Sequence, residues 1–149
     1  MLNFSQYIKE LIGNLILTYQ LETDISFNFD VEENIFLDTD TSIPLGLIIN
    51  ELITNSFKYA FSGRDEGEIR VNLHRENRIE YTNEGCKSRQ YVLSVSDDGV
   101  GIPEDLEIKD LDSLGLQLVT TLVEQLDGKL ELKRDNGTEF IIKFSVAEN

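Results

Sequence analysis

The chain has 149 residues, 40% of them hydrophobic and 28% charged, which fits one globular domain and is too apolar for a disordered chain. Thirteen Lys+Arg against 28 Asp+Glu leave a net charge of −15, which opposes non-specific contact with nucleic acid or with an anionic membrane surface. One cysteine, Cys86, excludes an internal disulfide and suits a reducing compartment. No apolar run reaches the roughly 18 residues of a bilayer span, and the N-terminus lacks the basic start of a signal peptide. The expected location is therefore cytoplasmic.

Residues 5–21 read as an amphipathic helix, because Ile8, Leu11, Ile12, Leu15 and Tyr19 recur at helical spacing. Residues 25–29 alternate as a strand does, and Ile35-Phe36-Leu37 is a short apolar run expected to pair with them. A second helix is expected from near Ser42 to Tyr59 or Ala60, with Thr41 or Ser42 as cap and Pro44 in the first turn. After a loop at 62–67, alternation of Ile69, Val71 and Leu73 predicts a strand. The polar stretch 75–90 reads as a turn, and residues 91–95 as another strand. Asp97-Asp98-Gly99-Val100-Gly101 ends that strand, and 102–114 reads as an acidic loop. A helix spans 114–126, stopped by Gly128. Strands at 129–134 and 138–146 flank Asn136-Gly137, a strong hairpin signal. This order points to a sheet with antiparallel pairs, covered by helices on one face.

Three clusters could carry chemistry. On the second helix, Glu51, Asn55 and Lys58 share one stripe, while Leu45, Ile48, Ile49, Leu52, Ile53 and Phe57 cover the rest. Carboxylate and amide oxygens are hard ligands suited to Mg²⁺, and a lysine one turn on can reach a phosphate. The same stripe also fits a solvated ladder of side chains. The Asp97–Gly101 segment offers a carboxylate to a base amine and two glycines for close backbone approach, or is an acidic turn. It is not a dinucleotide fingerprint, since Glu104 stands where the third glycine belongs, and it lacks the ligand series of a calcium loop. Ser113-Leu114-Gly115-Leu116-Gln117-Leu118-Val119 opens a helix whose first amides are available to an anion, or simply starts a core-facing stripe.

In this order the clusters resemble the GHKL ATPase superfamily, which includes sensor histidine kinases and gyrase-type ATPases. The resemblance runs from about residue 25 to the end of the chain. Pro44-Leu45-Gly46-Leu47-Ile48-Ile49-Asn50-Glu51-Leu52-Ile53-Thr54-Asn55-Ser56-Phe57-Lys58-Tyr59-Ala60-Phe61 looks like the N box. Residues 95–103 look like the G1 box, 114–119 like the G2 box, and Gly137-Thr138-Glu139-Phe140 like the closing strand motif.

The resemblance implies a Bergerat-type two-layer α/β sandwich, with a mixed sheet covered on one face by helices, and ATP and Mg²⁺ as cofactors. By position, Asn55 would coordinate Mg²⁺ on the triphosphate, Lys58 would contact phosphate, and Tyr59 would lie near the nucleoside. Asp97 would bond the adenine amine, and Thr138 would support the base through water. Gly99 and Gly101 would let the backbone close on the nucleotide, while Gly115 and Leu116 would meet the phosphates. Glu51 matches the general base of gyrase-type members. The loop at 102–114 would be a short lid.

The wording of the motifs resembles the short-lid subgroup of sensor histidine kinases. Residues 1–21 then correspond to the linker helix after a dimerisation and phosphoacceptor hairpin, and 22–149 to the catalytic domain. The implied partners are that hairpin and a response regulator receiver domain. The sequence departs from the pattern in having no phenylalanine between Phe61 and Phe140, so the F box is absent, and Ser113 replaces the first G2 glycine. Its only histidine, His74, falls in an expected strand, so no phosphoacceptor is expected in this chain. The function expected is transfer of the ATP γ-phosphoryl to a histidine on a separate segment. A non-catalytic nucleotide sensor and an anti-sigma-type serine kinase or ATPase stay open.

Overall fold

The computed structural model describes residues 1–18, 24–60, 66–81, 83–99, 114–134 and 136–148, with all side chains among them except those of Tyr59, Ala60, Arg78, Leu114 and Glu148. The first strand, β1 (Leu2–Asn3), runs directly into helix α1 (Phe4–Thr18). Periodicity decides which face of α1 is hidden: Phe4, Ile8, Ile12 and Leu15 are buried on one stripe. Two strands follow, β2 (Asp24–Val31) and β3 (Phe36–Leu37).

The run at 35–37 does not pair with β2 as expected. The whole of β2 lies parallel to β4 (Glu66–Tyr81), from Asp24 opposite Glu66 to Val31 opposite Leu73. Asn34, at φ 62°, turns the chain away, and β3 joins β1 in a separate antiparallel pair. Ser5 locks this corner. Its buried hydroxyl donates to the Glu32 carbonyl at 2.6 Å and accepts the Ile35 N–H at 3.1 Å. The Ile35 N–H is buried and the Glu32 carbonyl partly so, which leaves water a poor substitute for the hydroxyl.

Helix α2 (Thr39–Asn55) starts earlier than the sequence implies. Asp38 is the cap, accepting the Thr41 N–H at 2.9 Å, while Ser42 is buried within the helix and Pro44 lies past the first turn. An aspartate cap is as good as serine, so the signal one turn upstream wins. The expected continuation to residue 60 is present as a π-helical turn, Ser56–Ala60.

The sheet order is β2-β4-β5-β7-β6, with β5 at Lys87–Asp97, β6 at Lys129–Lys133 and β7 at Thr138–Glu148. All neighbours after the β2–β4 pair are antiparallel. The turn expected over 75–90 is present but narrower: β4 runs to Tyr81, β5 begins opposite it at Lys87, and the chain turns at Asn83-Glu84 with Gly85 at φ 83°. The strands take up the rest of the stretch, with Ile79 opposite Arg89 beyond an irregularity at Arg75/Ile79, and its polar composition there reflects exposure, as Tyr81 shows. Helix α3 (Leu114–Gln125) ends where Asp127 takes φ 52° and the Gly128 N–H bonds back to the Val123 carbonyl.

The helices cover one face of this mixed sheet. Ile69, Val71 and Leu73 of β4, Leu93 and Val95 of β5, and Ile142 and Phe144 of β7 pack with Ile12, Ile48, Ile49, Leu52, Ile53 and Val119 in one core. Each such fully buried aliphatic side chain contributes roughly 1.5–3 kcal/mol. Helix α1 belongs to the same core. The boundary expected between residues 21 and 22 lies outside the described residues. No described helix is long and apolar enough to cross a membrane.

Ser5→Ala leaves the Glu32 carbonyl and Ile35 N–H without their partner. Urea unfolding is expected to show a loss of about 1–3 kcal/mol, the cost of stranding buried polar groups.

Candidate functional site

Strand parity builds the site. Tyr91, Leu93 and Val95 of β5 face the helices, and Asp97 continues that face at the strand end, opposite Thr138 of β7. Three donors reach the Asp97 carboxylate. The Ser56 hydroxyl donates to Oδ2 at 2.9 Å, the Gly99 N–H donates to Oδ1 at 3.0 Å, and the Thr138 N–H adds a third bond. Burial still pushes this carboxyl above the usual aspartate range, with the Asp98 charge adding to the rise and the three donors opposing it.

Asp98 does different work from its neighbour. It accepts the Glu68 N–H at 2.9 Å, and its own N–H bonds the Glu68 carbonyl at 3.2 Å. It therefore ties the end of β5 to β4 and leaves Asp97 to the helical face.

The second cluster lies one residue from this carboxylate. Ser56, which touches Asp97, directly follows Asn55. Glu51 and Asn55 are half-buried and Lys58 is exposed. Among the described residues no ion pair or hydrogen bond links Glu51, Asn55 and Lys58, so the side-chain ladder is not formed. The Asn55 amide nitrogen is buried and has no partner. The orphaned N–H group can donate to an external acceptor such as a phosphate oxygen, and the amide oxygen of an asparagine is a hard donor of the kind Mg²⁺ takes. These residues fit a Mg²⁺-bearing phosphate.

The third cluster is only partly described. Gly115 is half-buried in the first turn of α3, and Leu116 is buried in the core. Gly99 follows Asp97 as a half-buried bend. Gly101, Ser113 and the expected lid lie outside the described residues, as does the Tyr59 side chain. Thr138 is buried at the start of β7, opposite Asp97. His74 of β4 faces Asp30 of β2 at 3.1 Å.

One residue escaped the sequence, and a second was named only as part of a hairpin and a strand motif. Ser56 sits inside the motif but looks like an ordinary small helix residue; a lone hydroxyl on an apolar stripe was its only signal. Gly137 carries φ 116°, and a Cβ there would overlap the Asp97 carbonyl oxygen. The hairpin can thus press against the strand that bears Asp97 only if residue 137 has no side chain. A cleft of about 480 Å³ is lined by Glu68, Arg70, Ser96, Lys133 and Glu139 on the opposite face of the sheet, and it reaches Asp97, Asp98, Asn136 and Thr138 at the strand ends.

This arrangement has known counterparts. Residues 40–148 match the family model for the histidine kinase-, DNA gyrase B-, and HSP90-like ATPases. The chain belongs to this ATPase family. Domains of the family bind ATP, generally with Mg²⁺. A sensor histidine kinase, PdtaS from Mycobacterium tuberculosis, is 33% identical over 114 residues, 74% of this chain and 21% of the relative. The chain thus spans about a fifth of that relative's length. A serine-protein kinase, RsbW from Listeria innocua, is 32% identical over 114 residues, 70% of this chain and 69% of the relative. The solved histidine kinase domain of the Erythrobacter litoralis EL346 blue-light activated histidine kinase superposes with a TM-score of 0.74 at 25% identity, covering 96% of this chain and 61% of that one.

Gly137→Ala is expected to lower stability by at least about 1–2 kcal/mol, from positive φ alone, with further loss from the overlap at Asp97. Thermal unfolding monitored by circular dichroism reads this directly.

Proposed function

We propose that this chain binds Mg·ATP and delivers the γ-phosphoryl to a histidine on a separate segment, as the catalytic domain of a two-component sensor kinase. The observation that carries this is the Asp97 carboxylate, held at the strand end by three donors and joined through Ser56 to the turn that follows Asn55. An acceptor fixed in that way suits the exocyclic amine of adenine. Thr138, paired with Asp97, would hold the base through water. Gly99 and Gly101 would allow the backbone to close on it, with Tyr59 beside the nucleoside.

At the other end, Asn55 would hold Mg²⁺ through its amide oxygen and Lys58 would contact phosphate. The amides of Gly115 and Leu116, at the start of α3, would meet the phosphates, where the helix dipole favours an anion. The bound ion supplies charge neutralisation for the triphosphate. Phosphoryl transfer asks the protein mainly to position its reactants, and half-buried Glu51 would orient the incoming nucleophile.

The acceptor would reside on a dimerisation hairpin, and a response regulator receiver domain would take the phosphoryl onward. Residues 1–21 would link that hairpin to the catalytic domain of residues 22–149. The likeness to PdtaS and to the Erythrobacter litoralis kinase supports this reading. The likeness to RsbW supports a second one, in which the acceptor is a serine. Acid treatment of the labelled acceptor separates the two, because phosphohistidine is acid-labile and phosphoserine is not.

Calorimetry with ATP and GTP, with and without Mg²⁺, tests the binding step. Asp97→Asn is expected to weaken ATP about tenfold or more, the scale of a hydrogen bond to a charged group, and Asn55→Ala to abolish the Mg²⁺-dependent part. Wild-type affinity should be full above the Asp97 pKa and decline as pH falls through it. Because burial raises that pKa, the decline should begin at higher pH than for an ordinary aspartate. Unchanged ATP binding in both variants would contradict the proposed site.

A further inference from the structure

Ser56 stands at the joint between the two halves of the site. It is 7% exposed, it follows Asn55, and its side chain bridges from the helix layer to the end of β5. Its Oγ lies 2.9 Å from Asp97 Oδ2 and 3.2 Å from the Leu52 carbonyl oxygen. A serine hydroxyl has one proton to give. An ionised carboxylate is the stronger acceptor of the two, so the proton goes to Asp97 while Asp97 is charged. If Asp97 becomes protonated, the hydroxyl can fall back on Leu52.

The state of Asp97 decides what it recognises. A carboxylate only accepts, and so pairs with an exocyclic amine, which adenine carries where guanine carries a carbonyl. A protonated carboxyl can also donate and would tolerate the carbonyl. Burial and the Asp98 charge favour protonation, and the groups opposing them are the Gly99 and Thr138 N–H groups and the Ser56 hydroxyl. Other charged side chains at this end are Glu68 and Arg70 of β4, Lys133 of β6 and Glu139 of β7, which line the opposite-face cleft, and Glu51 and Lys58 on the helical side. Of the three donors to Asp97, Ser56 supplies the only side chain.

We infer that Ser56 is a specificity-determining positioning residue: its hydroxyl keeps Asp97 an acceptor, so that the site selects adenine over guanine nucleotides. This rests on the nucleotide-binding function proposed above. Ser56 acts through Asp97 and needs no contact with the nucleotide itself. A glance at the motif would pass over it, since alanine would complete the helix turn equally well.

The test is titration of the 149-residue chain with Mg·ATP and Mg·GTP, comparing wild type, Ser56→Ala and Ser56→Thr at mildly acidic and mildly alkaline pH. Ser56→Ala is expected to lose ATP affinity about tenfold, to keep its GTP affinity, and to weaken further on acidification than wild type does. Ser56→Thr, which restores the hydroxyl, should recover the selectivity. Equal losses for both nucleotides at each pH, or an unchanged ATP-to-GTP ratio, would overturn the inference and leave Ser56 a packing residue. If Ser56→Ala does not fold, Ser56→Cys, a weak donor of similar size, takes its place with the same expected and contrary results. A selective wild type with an unaltered serine variant sinks this inference alone. A wild type that binds both nucleotides equally also sinks this inference and leaves nucleotide binding standing, whereas one that binds neither sinks the nucleotide-binding function as well.

Discussion

A half-buried carboxylate must find donors, and Asp97 finds them on three separate pieces of chain. Ser56 comes from the end of α2, Gly99 from the bend after β5, and Thr138 from the start of β7. The geometry exists only if the sheet and the helix layer are in register. The antiparallel pairing that sets Asp97 opposite Thr138 fixes one side. The packing of Leu52 and Ile53 of α2 against Leu93 and Val95 fixes the other. Asp98, bound to the backbone of Glu68, holds the strand end in place.

One helix therefore serves both the core and the site. The apolar positions of α2 bury themselves against the sheet, and the stripe left over carries Glu51 and Asn55 to the rim. The π-helical turn at Ser56–Ala60 lets the chain widen after Asn55, a distortion often found beside functional groups. Helix α1 closes the layer, anchored by Ser5. The net charge of −15 gives a polyanion no general attraction to this molecule. On the proposed function, binding of a triphosphate would depend on local groups: Lys58, the amides at the start of α3, and a metal ion.

Much of this was legible in the sequence. The apolar periods of α1, α2 and α3 and the alternation at 69–73 and 91–95 report burial, and burial drives these elements. The order of Glu51, Asn55, Lys58, Asp97, Gly115 and Thr138 carried the family likeness. Other features depend on distant partners. The pairing of Phe36–Leu37 with Leu2–Asn3 is set by a turn at Asn34 and by Ser5, thirty residues away from Ile35. The polar arm of β4 and β5 carries no apolar alternation, because its pairing rests on backbone bonds. Asp38 and Ser42 are both good caps, and only the packed helix decides between them. Ser56 became visible when Asp97, 41 positions along, came within hydrogen-bond distance.

Two faces of the sheet offer a ligand some shelter, and a single titration tells them apart. The most direct measurement is a two-dimensional amide NMR titration of the chain with Mg·ATP. The expected result is a cluster of shifted amides at Ser56, Gly99 and Gly115, on the helical side of the sheet, with Asp97 and Thr138, which border both sides, shifting along with them. Shifts centred instead on Arg70, Ser96, Lys133 and Glu139, which line the opposite cleft, would contradict the site, as would a spectrum unmoved at millimolar ATP.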